Sequence, residues 1–420
     1  MNNWKEIELG KAIQFNPPER IAKGKIAKKI PMDRLIAYEK KIKGFELAEF
    51  SAGPKFRNGD TLVAKITPCL ENGKTAQVDI LDENEVAFGS SEFIVLRQNE
   101  NTINDFIFYL AKSPTFRKRA IGCMEGTSGR KRVNEGALKL QVLPIPNKAT
   151  QKKIASVLSS LDSKIELNNR INAELEAMAK TLYDYWFVQF DFPDQKGKPY
   201  KTSSGKMIWN EELKREVPEG WGASYVGDLL SSEISTEKIP SSGILDKGKI
   251  PVIDQSTDYI AGFTNEQNSI INTKEPRIVF GDHTRILKLI NFDFARGADG
   301  TQVLLSNNKR MPQHLFYHTL LKIDLSNYGY ARHFKFLKGT RILLPNEAIA
   351  QQFDEAIQKN HFMIRDNIFQ NQKLSELRDW LLPMLMNGQV KVEDVENEES
   401  LAMAAEGEVE YGRKKKRATT

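Results

Sequence analysis

Two stretches of this 420-residue chain pass through the same series of signals in the same order, so its fold must accommodate one unit made twice. The first opens on Trp4-Lys5-Glu6-Ile7-Glu8-Leu9-Gly10. The second opens on Trp221-Gly222-Ala223-Ser224-Tyr225-Val226-Gly227, just after the punctuation Pro218-Glu219-Gly220. Strand-like runs with a Gly-Asp turn follow, Asn58-Gly59-Asp60-Thr61-Leu62-Val63 in one half and Val279-Phe280-Gly281-Asp282-His283-Thr284 in the other. Each half then carries an aromatic helical segment, Phe106-Ile107-Phe108-Tyr109-Leu110 or Leu315-Phe316-Tyr317-His318-Thr319-Leu320. A glycine-bearing basic loop leads to an extended run ending in proline, Leu140-Gln141-Val142-Leu143-Pro144-Ile145-Pro146 or Arg341-Ile342-Leu343-Leu344-Pro345, and then to a helix beginning near Gln151 or Gln351.

Residues 151–187 contain no proline or glycine and carry a seam at alternating steps of three and four, the coiled-coil period: Leu158, Leu161, Ile165, Asn168, Asn172, Leu175, Ala179, Leu182, Trp186. The second helix repeats it as Ile357, Asn360, Ile364, Asn367, Asn371, Leu374, Arg378, Leu381, Leu385. An offset of 199 takes Ile165 to Ile364 and Leu175 to Leu374. If the helices run antiparallel, one register joins Asn168 to Asn371, Asn172 to Asn367, Ile165 to Leu374, Leu175 to Ile364 and Leu158 to Leu381. An amide facing leucine loses its hydrogen bonds, so matched asparagines specify that register at some loss of stability. Pro383 is expected to end or kink the second helix near Leu382.

Charge narrows the function less by amount than by placement. The net charge of +6 is mild, but basic residues crowd beside glycines and small polar residues: Arg117-Lys118-Arg119, Gly129-Arg130-Lys131-Arg132, and Arg332-His333 with Lys335 and Lys338. No run approaches the roughly 18 apolar residues of a membrane span, and the N-terminus has no apolar signal core. The two cysteines, Cys69 and Cys123, fit a reducing cytoplasm and offer no zinc framework.

Catalytic signatures are not evident. Asn16-Pro17-Pro18-Glu19 resembles the Asn-Pro-Pro-aromatic motif of adenine methyltransferases, but Glu19 replaces the aromatic that must stack on a flipped base. His314 and His318 stand at i, i+4 with no acidic third ligand signalled, so they read as packed helix rather than metal site. Gly281-Asp282 reads as a turn, and neither a P-loop nor a GxSxG elbow occurs.

The order of Leu143-Pro144-Ile145-Pro146, Gln151-Lys152-Lys153-Ile154-Ala155, Leu161-Asp162-Ser163-Lys164-Ile165 and Asn168-Asn169-Arg170-Ile171-Asn172 resembles the specificity subunits of type I restriction–modification systems. Tyr183-Asp184-Tyr185-Trp186-Phe187, Gly197-Lys198-Pro199-Tyr200, Val217-Pro218-Glu219-Gly220-Trp221 and Leu381-Leu382-Pro383-Met384-Leu385-Met386-Asn387-Gly388 extend the likeness. The chain departs from the family pattern in lacking a Pro-x-Gly-Trp lead-in before Trp4, in Leu344-Pro345-Asn346-Glu347 where a second proline is commoner, and in its basic tail. The resemblance implies a mixed α/β (α+β) protein: two similar target-recognition domains separated by two long helices that form an antiparallel, pseudo-two-fold coiled-coil pair. Each domain would bind half of a bipartite, asymmetric site on double-stranded DNA. It also implies two modification subunits, restriction subunits, a bacterial or archaeal cytoplasm, and no cofactor on this chain; S-adenosylmethionine, ATP and magnesium would belong to the partners.

The expected domains are 1–147 and 218–346 for recognition, 148–190 and 347–390 for the helices, 191–217 for a polar linker, and 391–420 for a disordered charged tail. Arginine or lysine suits guanine edges, asparagine or glutamine suits adenine, and most basic residues hold phosphates. The candidate DNA-binding residues are therefore Thr127, Ser128, Arg130, Lys131 and Arg132 in the first copy, with Lys65 and Lys74. In the second copy they are Tyr330, Arg332, His333 and Lys335, with His283, Thr284 and Arg285, then Arg296 and Thr301. Two other readings are a self-contained DNA methyltransferase or nuclease with an unrecognised site, and a coiled-coil scaffold that binds only proteins.

Overall fold

The computed structural model describes residues 4–127, 129–231, 236–298, 300–329 and 332–390, which divide into two compact units. The first draws on Met1–Leu167 and Gln370–Thr420, the second on Asn168–Phe369. The expected tail, 391–420, lies outside the described residues.

The first unit begins with strand Trp4–Glu8 and closes with strand Val142–Pro146 hydrogen-bonded antiparallel beside it, Trp4 opposite Pro146 and Glu8 opposite Val142. Between them lie two four-stranded sheets. One is ordered Gln14–Phe15, Phe93–Arg97, Thr61–Ala64, Thr75–Gln77, all antiparallel. The other is ordered Glu46–Glu49, Ile26–Ile30, Ala87–Gly89, Lys55–Phe56, with Ile26–Ile30 parallel to Ala87–Gly89. Phe93–Arg97 is an unbroken apolar run up to its arginine because both faces of its sheet are covered. Successive side chains alternate: Leu62, Phe93 and Val95 join a core with Ile30 and Phe56, while Val63, Ile94 and Leu96 join another with Phe106 and Tyr109 from helix Asn104–Lys112.

The second unit repeats this plan. Strand Gly222–Tyr225 pairs antiparallel with Arg341–Leu344, Gly222 opposite Leu344. One sheet is ordered Leu287–Ile290, Arg277–Gly281, Thr301–Leu304. The other is ordered Gly262–Thr264, Ile250–Ile253, Phe294–Arg296, Ile270–Ile271, again with one parallel pairing between its inner strands. Arg277–Gly281 also feeds two cores, Ile278 and Phe280 to one and Val279 to the other. Helix Gln313–Leu321 stands where Asn104–Lys112 stands in the first unit, and both are nine residues long.

The topology corrects one expected correspondence. Gly59-Asp60 leads into strand Thr61–Ala64, whereas Gly281-Asp282 leads out of strand Arg277–Gly281. These turns occupy opposite ends of equivalent strands, so Lys65, not Gly59-Asp60, stands where Asp282 stands.

The long helices are Lys148–Tyr183 and Glu347–Met386. In the second unit, Asn367 donates to Asn172 at 2.8 Å and Tyr183 lies edge-on to Phe353 with centroids 6.0 Å apart. Partner numbers fall along one helix as they rise along the other, so these segments run antiparallel. In the first unit, Leu158 and Leu161 share a core with Leu381, Leu382 and Leu385, and Asp162 meets Arg378. Pro383 does not end the second helix, which continues to Met386. Proline removes one intrahelical donor, but Leu381, Leu382, Leu385 and Met386 are buried on both sides of it and hold the last turn to the core. Gly388 then takes φ +66°, and a Cβ there would sit 3.2 Å from the Trp4 indole.

The expected linker, 191–217, is more than a polar spacer. It carries the hairpin Met207–Asn210 with Arg215–Pro218, and buried Phe192 stacks on Trp221 at 4.9 Å and Tyr200 at 4.7 Å.

Candidate functional site

In the first unit the basic loop is the tip of a small hairpin. Met124–Glu125 pairs with Arg132–Val133, and the turn between them uses Gly129 at φ +85°, a conformation that other residues adopt at a steric penalty. Lys65, leaving the sheet strand, is stitched to that hairpin: Val133 N–H donates to the Lys65 carbonyl at 2.9 Å and Thr67 N–H to the Lys131 carbonyl at 3.0 Å. The fold thus gathers Lys65 with Thr127, Arg130, Lys131 and Arg132, although they are distant in sequence.

Their charges are not equally available. Arg132 donates to both carboxylate oxygens of Glu92 at 2.8–3.0 Å, which holds the Glu92 carboxyl below its usual range. Lys65 donates to Glu135 at 3.3 Å, and Asn16 donates to the same carboxylate at 2.6 Å. Lys74 reaches the Met32 carbonyl at 3.1 Å, away from the loop. Thr127, Arg130 and Lys131 are exposed, whereas Ser128 lies outside the described residues.

The second unit assembles its site through Asp282. This buried residue's carbonyl accepts from His333 N–H at 3.0 Å and lies 2.8 Å from His333 Nδ1. Its carboxylate accepts from Phe334 N–H at 2.7 Å, satisfying the N-terminus of helix His333–Lys338 from a distant part of the chain. The turn after Arg277–Gly281 and the segment beginning at Arg332 are thereby joined. His283, Thr284, Arg285, Arg332 and Lys335 are exposed around the junction. Gln255 braces the turn, its side-chain oxygen accepting from His283 N–H at 3.1 Å and its carbonyl from the Thr284 hydroxyl at 2.7 Å. Gly300, at φ +73°, makes room for it: a Cβ there would come within 2.7 Å of the His283 ring.

Three candidates prove to be interior. His333 is 2% exposed and fastens the loop, Thr301 donates to the Ala298 carbonyl at 3.2 Å, and Arg296 is buried in its sheet strand. They shape the site from behind. Tyr330 lies outside the described residues.

The motifs set aside in the sequence have structural roles. Asn16 takes φ +49°, its side-chain oxygen accepts from Val95 N–H at 2.9 Å, and Glu19 accepts from Arg97 at 2.6 Å. His314 lies 3.0 Å from Asp354, and among the described residues no group of three His, Cys, Asp or Glu side chains is placed to hold a metal.

Sequence reasoning missed the groups that fix each aromatic helix to its long helix. In the first unit the Tyr109 hydroxyl donates to Asp162 at 2.7 Å, and Arg378 donates to the other oxygen of that carboxylate at 2.8 Å. Desolvation and the Asp162 charge push the Tyr109 phenol far up. In the second unit the corresponding pair is His318 and His361, with Nε2 atoms 3.3 Å apart. The 199-residue offset, which takes Asp162 to His361, was the available signal.

Residues 3–177 match the family described as type I restriction modification DNA specificity domain. A type I restriction enzyme MjaIX specificity subunit from Methanocaldococcus jannaschii is 26% identical over 70% of this chain and 71% of its own length. A HindI specificity subunit from Haemophilus influenzae is 23% identical over 80% of this chain and 87% of its own length. Among solved structures, an S subunit of a type I restriction–modification system from M. genitalium shares the fold with a TM-score of 0.56, covering 91% of this chain and 96% of that one, at 16% identity.

Proposed function

We propose that the chain is a specificity subunit of a type I restriction–modification system, as its likeness to such subunits supports, and that each unit reads one half of a bipartite, asymmetric DNA site. One observation supports this most directly: the equivalent strands Thr61–Ala64 and Arg277–Gly281 both run out into turns that meet an exposed basic segment. Arg130 and Lys131 serve the first half-site; Arg285, Arg332 and Lys335 serve the second. Arginine and lysine there neutralise phosphates and offer donors to guanine edges in the major groove.

The long helices set the distance between half-sites and present docking faces to two modification subunits, with restriction subunits completing the complex. Adenine methylation with S-adenosylmethionine, and ATP- and magnesium-dependent cleavage, are the partners' chemistry. The setting is the cytoplasm. No helix among the described residues is long and apolar enough to cross a membrane.

Footprinting on random DNA fragments, with and without a modification subunit, tests the reading. Two short protected patches around an unprotected spacer are expected. Arg130→Ala with Lys131→Ala should weaken the first patch and lower the magnitude of the log–log salt slope by about 1–2. Uniform protection, or no selectivity with the partner present, would remove the proposal.

A further inference from the structure

The two units fasten the aromatic helix to the long helices with different chemistry at the same place. An offset of 209 lays Gln313–Leu321 on Asn104–Lys112 and takes Tyr109 to His318. The offset of 199 takes Asp162 to His361 and Ala179 to Arg378. Where the first unit has a phenol, a carboxylate and a guanidinium, the second has two imidazoles and an alanine. We infer that the His318–His361 contact is the positioning pin of the second unit, and that mild acid loosens this unit while the first stays fastened.

The contact is buried, His318 being 5% and His361 8% exposed. One imidazole can donate to another at 3.3 Å only while at least one nitrogen is unprotonated; two imidazolium ions there would repel. The surroundings offer little compensation. On the same helix, His314 stacks on His361 at 5.2 Å, with its own nearby carboxylate Asp354 on the second long helix. Lys322 follows that helix and pairs with Asp184 beyond the first long helix. Tyr183 stacks on His318 at 6.1 Å, and Phe353 meets it edge-on at 6.0 Å.

A cleft of about 650 Å³ opens on the pair, giving water and protons a route in; Glu176, Lys180, Tyr259 and Tyr317 also line it. Desolvation holds the Glu176 carboxyl above its usual range, so its charge weakens as the imidazoles would need it. Burial, then His314 and Lys322, lower the His318 value to about 4, and burial with the neighbouring histidines holds His361 well below its ordinary value.

The sign follows from these directions. The unfolded segment takes up protons near pH 6.5 while the packed one does not, so the fastening is fully present above pH 6.5 and fades as pH falls toward 4. At pH 5.5 each histidine favours opening by about tenfold, and the pair by about 100-fold. The first unit has no histidine at these positions, only tyrosine, aspartate and arginine.

Hydrogen–deuterium exchange of the full chain at pH 7.5, 6.5 and 5.5, corrected for intrinsic rates, measures this without DNA. Peptides covering 313–321 and 355–365 should lose about 100-fold in protection from pH 7.5 to 5.5, against less than about threefold for 104–112 and 157–164. Equal loss in both units, or in neither, overturns the inference. The double variant His318→Tyr with His361→Asp, which imports the first unit's pair, should flatten the profile. His361→Gln, which cannot take a charge, should leave about a tenfold change; an unaltered profile in a folded variant also overturns the inference. If neither variant folds, the wild-type profile decides. Selective loss of the second half-site in acid rests on the proposed DNA-reading role, so the expected unit-selective loss of protection with no half-site effect would discard that role and keep the pin.

Discussion

Replacing Arg378 with leucine tests how the first unit is held together. The side chains of Arg378 and Asp162 are 9% and 10% exposed, and the carboxylate also receives the Tyr109 hydroxyl. Removing the guanidinium leaves a buried carboxylate with one neutral donor, a change of about 3–5 kcal/mol in systems of this kind. Opening of helix Asn104–Lys112 should then rise by about 100-fold or more, since each 1.4 kcal/mol is tenfold. Replacing all three groups, with Tyr109→Phe, Asp162→Leu and Arg378→Leu, removes the stranded charge and its donors together. Stability should return to within about 1–2 kcal/mol of the parent. Hydrogen exchange in urea resolves this unit without assuming that the whole chain unfolds at once. A single Arg378→Leu effect below about 1 kcal/mol, or a triple variant worse than the single one, would refute the account.

Three further outcomes are expected. Lys112 is buried, its ammonium has no hydrogen-bond partner among the described residues, and burial first, then Arg378, lowers its value to about 8. Its unfolded form holds the proton up to about pH 10.4, so stability should rise with pH between about 8 and 10, and Lys112→Met should stabilise the unit at pH 7 by about 2 kcal/mol, as denaturant-dependent exchange would show. Asn172→Leu alone should destabilise the helix segments by about 1–3 kcal/mol by stranding the Asn367 amide, while Asn172→Leu with Asn367→Leu should recover it, in thermal melts of the pair. Gly300→Val should displace the His283 turn, because it adds a strained φ to a 2.7 Å clash; binding to a second half-site should fall about tenfold or more with the first half-site unchanged.

How much of this was legible depended on the length scale of the signal. The duplication and the helical seam were readable because periodicity and fixed offset survive in one dimension: Asn172 meets Asn367 at positions that counting alone connects. The Gly-Asp comparison failed because a turn motif does not say whether it enters or leaves its strand. Among the site residues, Arg285 and Arg296 look alike in sequence, yet one is exposed in a turn and the other is buried in a sheet strand. Only strand pairing decides that. The linker read as a polar spacer because the aromatic partner of Phe190 and Phe192, Trp221, is local only once the chain has folded back.

Each recognition fold begins and ends at one clasp, Trp4–Glu8 against Val142–Pro146 and Gly222–Tyr225 against Arg341–Leu344. A clasp of that kind makes everything above it an interchangeable insert. Loops can lengthen, strands can be lost, and four strands can become three, as the two copies themselves illustrate, while the chain still returns beside the residue where it departed. The helix that follows therefore starts from the same place whatever sequence the insert has come to recognise. Variation above the clasp and constancy below it are separable by construction.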